Sequence, residues 1–270
     1  VNPVIYGPIR WYGVLTALGF LLGIWIAARL AKKSGLSSDV IVNLGFIAMV
    51  AGILGARIFY VIANWGEFAS NPLEIIRVDH GGLVFYGGFI GAALAMIGYG
   101  YWKKLPKGAY ADTLAVGVPL GHALGRIGCF LNGCCWGRTC ALPWGVTFPV
   151  DSEVFRHQLS QAPMLMKPLP VHPTQLYEAA GLLFLCALMW WWFNKGTFKH
   201  RLMWMYVVLY GTLRFGVEIV RDDEPHWIFS RFTNAQGVAM VMIIVGAIAL
   251  YLTQPKEKTV AAPSRSDSEN

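Results

Sequence analysis

The chain has 270 residues, of which 56% are hydrophobic and 14% charged, whereas an ordinary soluble domain is roughly 25% charged. That deficit excludes a water-facing soluble enzyme, and the many Trp, Phe and Tyr suit a protein with two membrane interfaces, where amphipathic rings settle at headgroup level. The net charge of +7 does not point to nucleic acid, because no basic stripe is interleaved with aromatics and the Lys and Arg fall between apolar runs.

A hydrocarbon core about 30 Å thick takes about 20 apolar residues per helix. Seven such runs follow one another: Trp11–Ala31, Val40–Ala63, Leu83–Trp102, Ala111–Leu131, Gln175–Phe193, Leu202–Ile219 and Ala235–Leu252. The fold class expected is an all-α polytopic membrane protein, with about seven transmembrane helices and an outward-facing loop or arm region. Residues 1–253 make one integral membrane domain, and residues 254–270 read as a disordered cytoplasmic tail. The first run lacks a small-residue cleavage site after a short apolar region, so it is expected to be a retained span and not a signal peptide.

Lys32 and Lys33 follow the first run, Lys103, Lys104 and Lys107 the third, and Lys195, Lys199 and Arg201 the fifth. Lys256, Lys258 and Arg265 follow the seventh, so all four groups share one side of a seven-span chain. Arg10, Arg77, Arg138, Arg156, Lys167 and Arg231 are scattered through longer loops on the other side. The positive-inside rule then predicts a cytoplasmic C-terminus and an outside N-terminus, with the loops Asn64–Gly82 and Asn132–Val171 facing outward.

Ionisable groups inside apolar runs are the informative residues, since a central arginine costs about 2.5–3.5 kcal/mol on insertion scales. Arg57 lies in the second run, Arg126 in the fourth, and Arg214, Glu218 and Arg221 in and just after the sixth. Tyr210, Arg214, Glu218 and Arg221 share one helix face. A salt-bridge ladder would explain that face structurally. Its excess positive charge also suits a lipid phosphate, which arginine binds through two parallel hydrogen bonds. Gly81, Gly82, Gly87, Gly88 and Gly91 cluster around the third run, and Gly117, Gly121, Gly125 and Gly128 stripe the fourth. Either close helix packing or close approach of a headgroup accounts for them. Thr174 is placed to cap the fifth run, with Tyr177 and Glu178 in its first turn.

Residues 125–138, Gly-Arg-Ile-Gly-Cys-Phe-Leu-Asn-Gly-Cys-Cys-Trp-Gly-Arg, resemble the signature G-R-[LI]-G-N-F-x-N-G-E-x-W-G-R of the bacterial prolipoprotein diacylglyceryl transferases. Four further segments resemble motifs of that family in the same order: Arg10-Trp11-Tyr12-Gly13, Gly81–Gly88, His172–Glu178, and Tyr210–Arg214 with Glu218 and Arg221. The resemblance implies seven spans with the N-terminus outside, in the bacterial cytoplasmic (inner) membrane. It implies transfer of a diacylglyceryl group from phosphatidylglycerol to the lipobox cysteine thiol of a preprolipoprotein signal peptide. That is the first step of lipoprotein maturation, and it releases glycerol phosphate. Partners are therefore membrane lipids and the signal peptide, with no cofactor and no metal expected. Arg126 and Arg214 match the family's essential arginines and are expected to clamp the leaving phosphate, with Arg221 and Glu218 ordering the face. Tyr12, Tyr210, Asn132, Gly137 and His172 match binding positions.

Two departures stand out. Tyr86 occupies the place where many members carry a histidine, and a phenol with pKa near 10 is a poor base at neutral pH. A free thiol has pKa about 8.5 and is only about a tenth ionised near pH 7.5, so a base would help. Tyr86, His80 and His122 are the candidates, and the sequence does not choose. Cys129 and Cys134 replace the signature's Asn and Glu, and with Cys135 and Cys140 they form C-x4-C-C-x4-C. This is not a usual zinc spacing, and in an outward loop it leads to an expectation of one or two disulfides. Alternatives are a transferase with another anionic lipid donor or acceptor, a lipid or anion transporter, or a thiol-redox protein. No repeated halves or paired broken helices favour transport, and no C-x-x-C favours redox chemistry.

Overall fold

The computed structural model describes residues 4–6, 9–68, 72–77, 81–222, 226–228 and 232–254. A short antiparallel ribbon of β1 (Val4–Tyr6) and β2 (Ile9–Arg10) runs straight into α1 (Trp11–Lys33). Next come α2 (Ser38–Ala63), the single turn α3 (Trp65–Phe68), a 3-10 turn over Pro72–Ile76, and α4 (Phe85–Trp102). Then follow α5 (Lys107–Asn132), α6 (Glu153–Gln161), α7 (Thr174–Lys195) and α8 (Leu202–Glu218). A second ribbon, β3 (His226–Ile228) with β4 (Phe232–Thr233), leads into α9 (Asn234–Leu252). His80, Arg231 and residues 255–270 lie outside the described residues.

Each of the seven apolar runs is a helix. Five of these, α1, α2, α5, α7 and α9, are long and apolar enough by themselves to cross a membrane. The other two fall short of that measure for physical reasons. Glycines and tyrosines dilute α4, and α8 is only 17 residues long, ending at Glu218. The outer faces carry exposed Leu21, Phe46, Ile62, Leu94 and Phe184, the reverse of a soluble protein and the surface that lipid tails accept.

Two helix pairs meet glycine against glycine. A Cβ on Gly117 of α5 would lie 2.3 Å from the Gly23 carbonyl oxygen of α1, and one on Gly55 of α2 would lie 2.4 Å from that of Gly87 on α4. Backbones this close leave no room for a side chain or a headgroup. At Gly87, Gly88, Gly91, Gly117 and Gly121, therefore, the glycines serve helix packing. Gly125 alone in the α5 stripe faces open space.

A buried cluster of Leu30, Val116, Leu185, Met189, Leu202 and Tyr206 ties α1, α5, α7 and α8 together. The segment between α5 and α7 has its own small core of Trp136, Phe148, Val154 and Val171. Within it Ser152 caps α6, accepting from the Phe155 amide at 3.2 Å. This is the arm expected from the sequence, and it is a built structure.

Two polar groups inside the bundle serve the fold. Asp112 on α5 is buried and accepts the His200 and Leu202 amides, closing the open N-terminus of α8 from another helix. Arg57 on α2 donates to the carbonyls of Glu74, Ile75, Gly81 and Gly82, and so stitches the α3–α4 connection to the helix wall.

Candidate functional site

Helices α5, α7 and α8 bring two buried carboxylates together with three arginines. Glu178 belongs to the second turn of α7 and is 1% exposed. Its Oε2 lies 3.1 Å from Arg126 Nε on α5, and its Oε1 accepts from the Tyr210 hydroxyl of α8 at 3.0 Å. His122, one turn before Arg126, places Nε2 3.7 Å from the same Oε1 and packs its ring edge-on to Tyr210. Arg126 Nε is close enough to feel the carboxylate charge, yet it is buried without a hydrogen-bond partner among the described residues.

Glu218, at the end of α8, holds the second cluster. Arg214 Nη1 donates to its Oε2, and Arg221 Nε lies 3.5 Å from the same oxygen. Thr233 completes the set: its hydroxyl donates to Glu218 Oε1 at 2.8 Å. Thr233 is also the capping-box residue of α9, accepting from the Gln236 amide while Gln236 Oε1 accepts the Thr233 amide. The cap of α9 thereby fixes the carboxylate that fixes Arg214. Three arginines against two carboxylates leave one positive charge in excess, in a place shielded from water. Tyr210 links the clusters, since Arg126 and Arg214 both act on it electrostatically. The charged face read from the sequence is thus a ladder of ion pairs that keeps an excess positive charge.

The arm covers the end of α5. Thr174 does not cap α7, because Pro173 occupies the N-cap position. The Thr174 hydroxyl donates instead to the Cys135 carbonyl at 2.7 Å, and Gln175 Nε2 to the Cys134 carbonyl at 2.6 Å. Gly137 is wedged between the two walls: a Cβ there would lie 2.6 Å from the Val220 carbonyl oxygen and 2.7 Å from His172 Cβ. Its bareness lets the arm pair with the chain just after α8, through the Gly137–Arg221 bridge.

Asn132 lines a polar pocket of about 190 Å³ with Arg10, Asp151, Ser152, Glu153 and Arg156. Tyr12 in the first turn of α1 packs against Gly128. His172 Nδ1 lies 3.2 Å from the Tyr177 hydroxyl, which accepts from Trp144 Nε1 at 2.8 Å. These three rings border an apolar groove of about 650 Å³ floored by Leu213, Gly216 and Val220. Tyr86 is half-exposed in the first turn of α4, a helix that packs chiefly on α2. The structure brings Arg126, Tyr210, Arg214, Glu218 and Arg221 together, and adds Glu178 and His122.

The disulfide expectation is not met, as all five cysteines carry free thiols. The reason lies in the turn after α5, which places Cys129, Cys134 and Cys135 in one triangle and leaves Cys140 elsewhere in the arm, beside Gly145. Hydrogen bonds from the Cys129 and Cys134 thiols hold the Cys135 thiol well below its usual range, and the Arg221 and Arg126 cations act in the same direction against burial.

Residues 4–252 match the sequence profile of the family described as prolipoprotein diacylglyceryl transferase. Among curated proteins, the chain is 36% identical over 270 residues to a phosphatidylglycerol–prolipoprotein diacylglyceryl transferase of Photobacterium profundum, covering 95% of this chain and 96% of the relative. It is 34% identical over 269 residues to the protein of the same description from Pseudoalteromonas translucida, covering 96% and 95%. The Vibrio vulnificus (strain YJ016) protein of that description is 35% identical over 260 residues, covering 93% and 90%.

Proposed function

The chain belongs to the prolipoprotein diacylglyceryl transferase family and is a transferase, and we propose that it moves the diacylglyceryl group of phosphatidylglycerol to the lipobox cysteine thiol of a preprolipoprotein. The thiolate sulfur attacks the glycerol carbon that bears the phosphate. An S–C bond forms, the C–O bond breaks, and glycerol phosphate leaves.

The observation that carries this reading is the excess positive charge held rigidly between α5, α7 and α8. Arg126 and Arg214 hold the phosphate and stabilise the charge it gains on leaving, as cationic donors in a dry site do. Glu178 and Glu218 orient the two guanidiniums, and Arg221 is the supporting cation. Tyr12, Asn132 and His172 serve as headgroup hydrogen-bonders around this centre, and the apolar groove beside His172 suits an acyl chain. Tyr210 positions Glu178, and Gly137 keeps the arm against α7 and α8. For the thiol proton we favour His122 over Tyr86, because its imidazole stands beside Glu178 in the arginine cluster. Tyr86 is then a headgroup contact.

The chain crosses the bacterial cytoplasmic membrane seven times, with the N-terminus outside and the C-terminus cytoplasmic. The helical state of all seven apolar runs and the lysine-rich stretches on one side support that arrangement.

The decisive assay mixes purified protein in detergent with phosphatidylglycerol and a single-cysteine lipobox peptide. The expected result is a thiol-dependent mass gain of one diacylglyceryl unit, formed about 100-fold or more slowly with Arg126→Ala or Arg214→Ala. No transfer by folded wild-type protein from phosphatidylglycerol would overturn the reading. Transfer from another anionic phospholipid in its place would tie the Cys129, Cys134 and Tyr86 departures to donor choice.

A further inference from the structure

Cys129, Cys134 and Cys135 hold their Sγ atoms within 4.8 Å of one another. The cluster is built by the backbone. Cys129 sits in the last turn of α5, and Gly133 ends that helix in the left-handed conformation at φ 74°. The chain then folds back so that the Cys134 amide donates to the Cys129 carbonyl at 3.2 Å. Cys135 is itself left-handed at φ 64°, which costs a residue with a Cβ about 1 kcal/mol or more. Thr174 and Gln175 hold this conformation through the carbonyls of Cys135 and Cys134. The transfer reaction needs none of the three thiols.

We propose that Cys129, Cys134 and Cys135 form a three-thiolate site for one soft d10 cation, of the Zn(II) or Cu(I) class. An all-sulfur donor set selects such ions over hard oxygen-loving ones. Zinc–sulfur bonds of about 2.3 Å put ligand sulfurs about 3.8 Å apart in a tetrahedron, so side-chain rotation of about 1 Å completes the site. On binding, all three sulfurs ligate as thiolates, any thiol proton passes to solvent, and three sulfur–metal bonds form. Zn(II) would carry net charge −1 with its three thiolates and take a water as fourth ligand, whereas Cu(I) would stay three-coordinate. Arg126 and Arg221, which both act on Cys135, offset the negative charge. The proposal does not depend on which lipid is the donor, and its test does not use the transfer reaction.

The test uses the full chain in detergent, reduced and stripped of metal by a chelator under argon. Zn(II) is titrated in one arm and Cu(I) in the other, against a chromogenic competitor. The same samples are then alkylated, and blocked thiols are counted by mass spectrometry. The expected result is one metal per chain in at least one arm, with three of the five thiols protected. Binding is lost in Cys134→Ser and kept in Cys140→Ser. Alkylation of all five thiols at metal saturation overturns the proposal, as does binding that survives Cys134→Ser. The alkylation count in the unaltered chain decides the matter even where a serine variant fails to fold.

Discussion

Arg57 on α2 and Arg126 on α5 are both arginines withdrawn from water inside apolar helices, but different chemistry satisfies them. Arg57 spends its donors on four backbone carbonyls of one connection and stacks near Tyr60 and Phe68. Nothing about it calls for a ligand. Arg126 faces a carboxylate that also serves Tyr210 and His122, and its Nε lacks a hydrogen-bond partner among the described residues. A buried cation that the backbone satisfies is part of the architecture. One that shares a carboxylate, beside a second paired arginine, retains the capacity to meet an anion.

The first way to break this comparison is to remove each cation. Arg126→Ala and Arg214→Ala should each lower the transfer rate about 100-fold or more, the scale of losing one charge-stabilising donor, in protein that elutes as folded. Arg57→Met should do the opposite: the folded fraction transfers normally, but four carbonyls lose their donor. A loss of about 3 kcal/mol is expected, seen as a thermal midpoint about 10 °C lower. Equal effects on rate from all three would erase the distinction.

His122→Gln tests the site more finely. The amide keeps a polar group near Glu178 but cannot take a proton, so the rate should fall about 100-fold at neutral pH, the lower range for a lost general base. The loss should shrink as pH rises and the peptide thiol ionises unaided. Tyr86→Phe, with the same assay, should cost far less. The reverse ranking would return the base to α4.

Much of this was legible in the sequence, because the bilayer forces helices of about 20 residues and makes each interior charge conspicuous. The seven runs coincide with helices to within a few residues, and α5 continues through Pro119. Tyr210, Arg214, Glu218 and Arg221 could be grouped because helical spacing alone puts them on one face. Glu178 could not be given its role, since its partners lie on two other helices, 32 residues away in the case of Tyr210. Thr174 read as a cap because local spacing favours that choice, but the arm offered it a carbonyl. The cysteine triangle depends on a left-handed Cys135, which no spacing rule anticipates.

The smallest expected effect concerns a buried charge with no part in the site. Asp112 shares α5 with Arg126, yet its carboxylate is spent on the amides of His200 and Leu202 at the start of α8. Asp112→Asn keeps the shape and one acceptor, and loses the charge that favours a helix N-terminus. A destabilisation of about 1 kcal/mol is expected, or a midpoint lower by about 2–4 °C, with transfer by the folded protein unchanged. The reasoning is positional. Arg214 lies more than three turns along α8 from the capped end, and Glu218 and Thr233 hold it there independently. A fall in rate larger than the loss of folded protein would mean that the start of α8 sets the position of Arg214, and that the division between architectural and anion-binding charges is less sharp than the contacts imply.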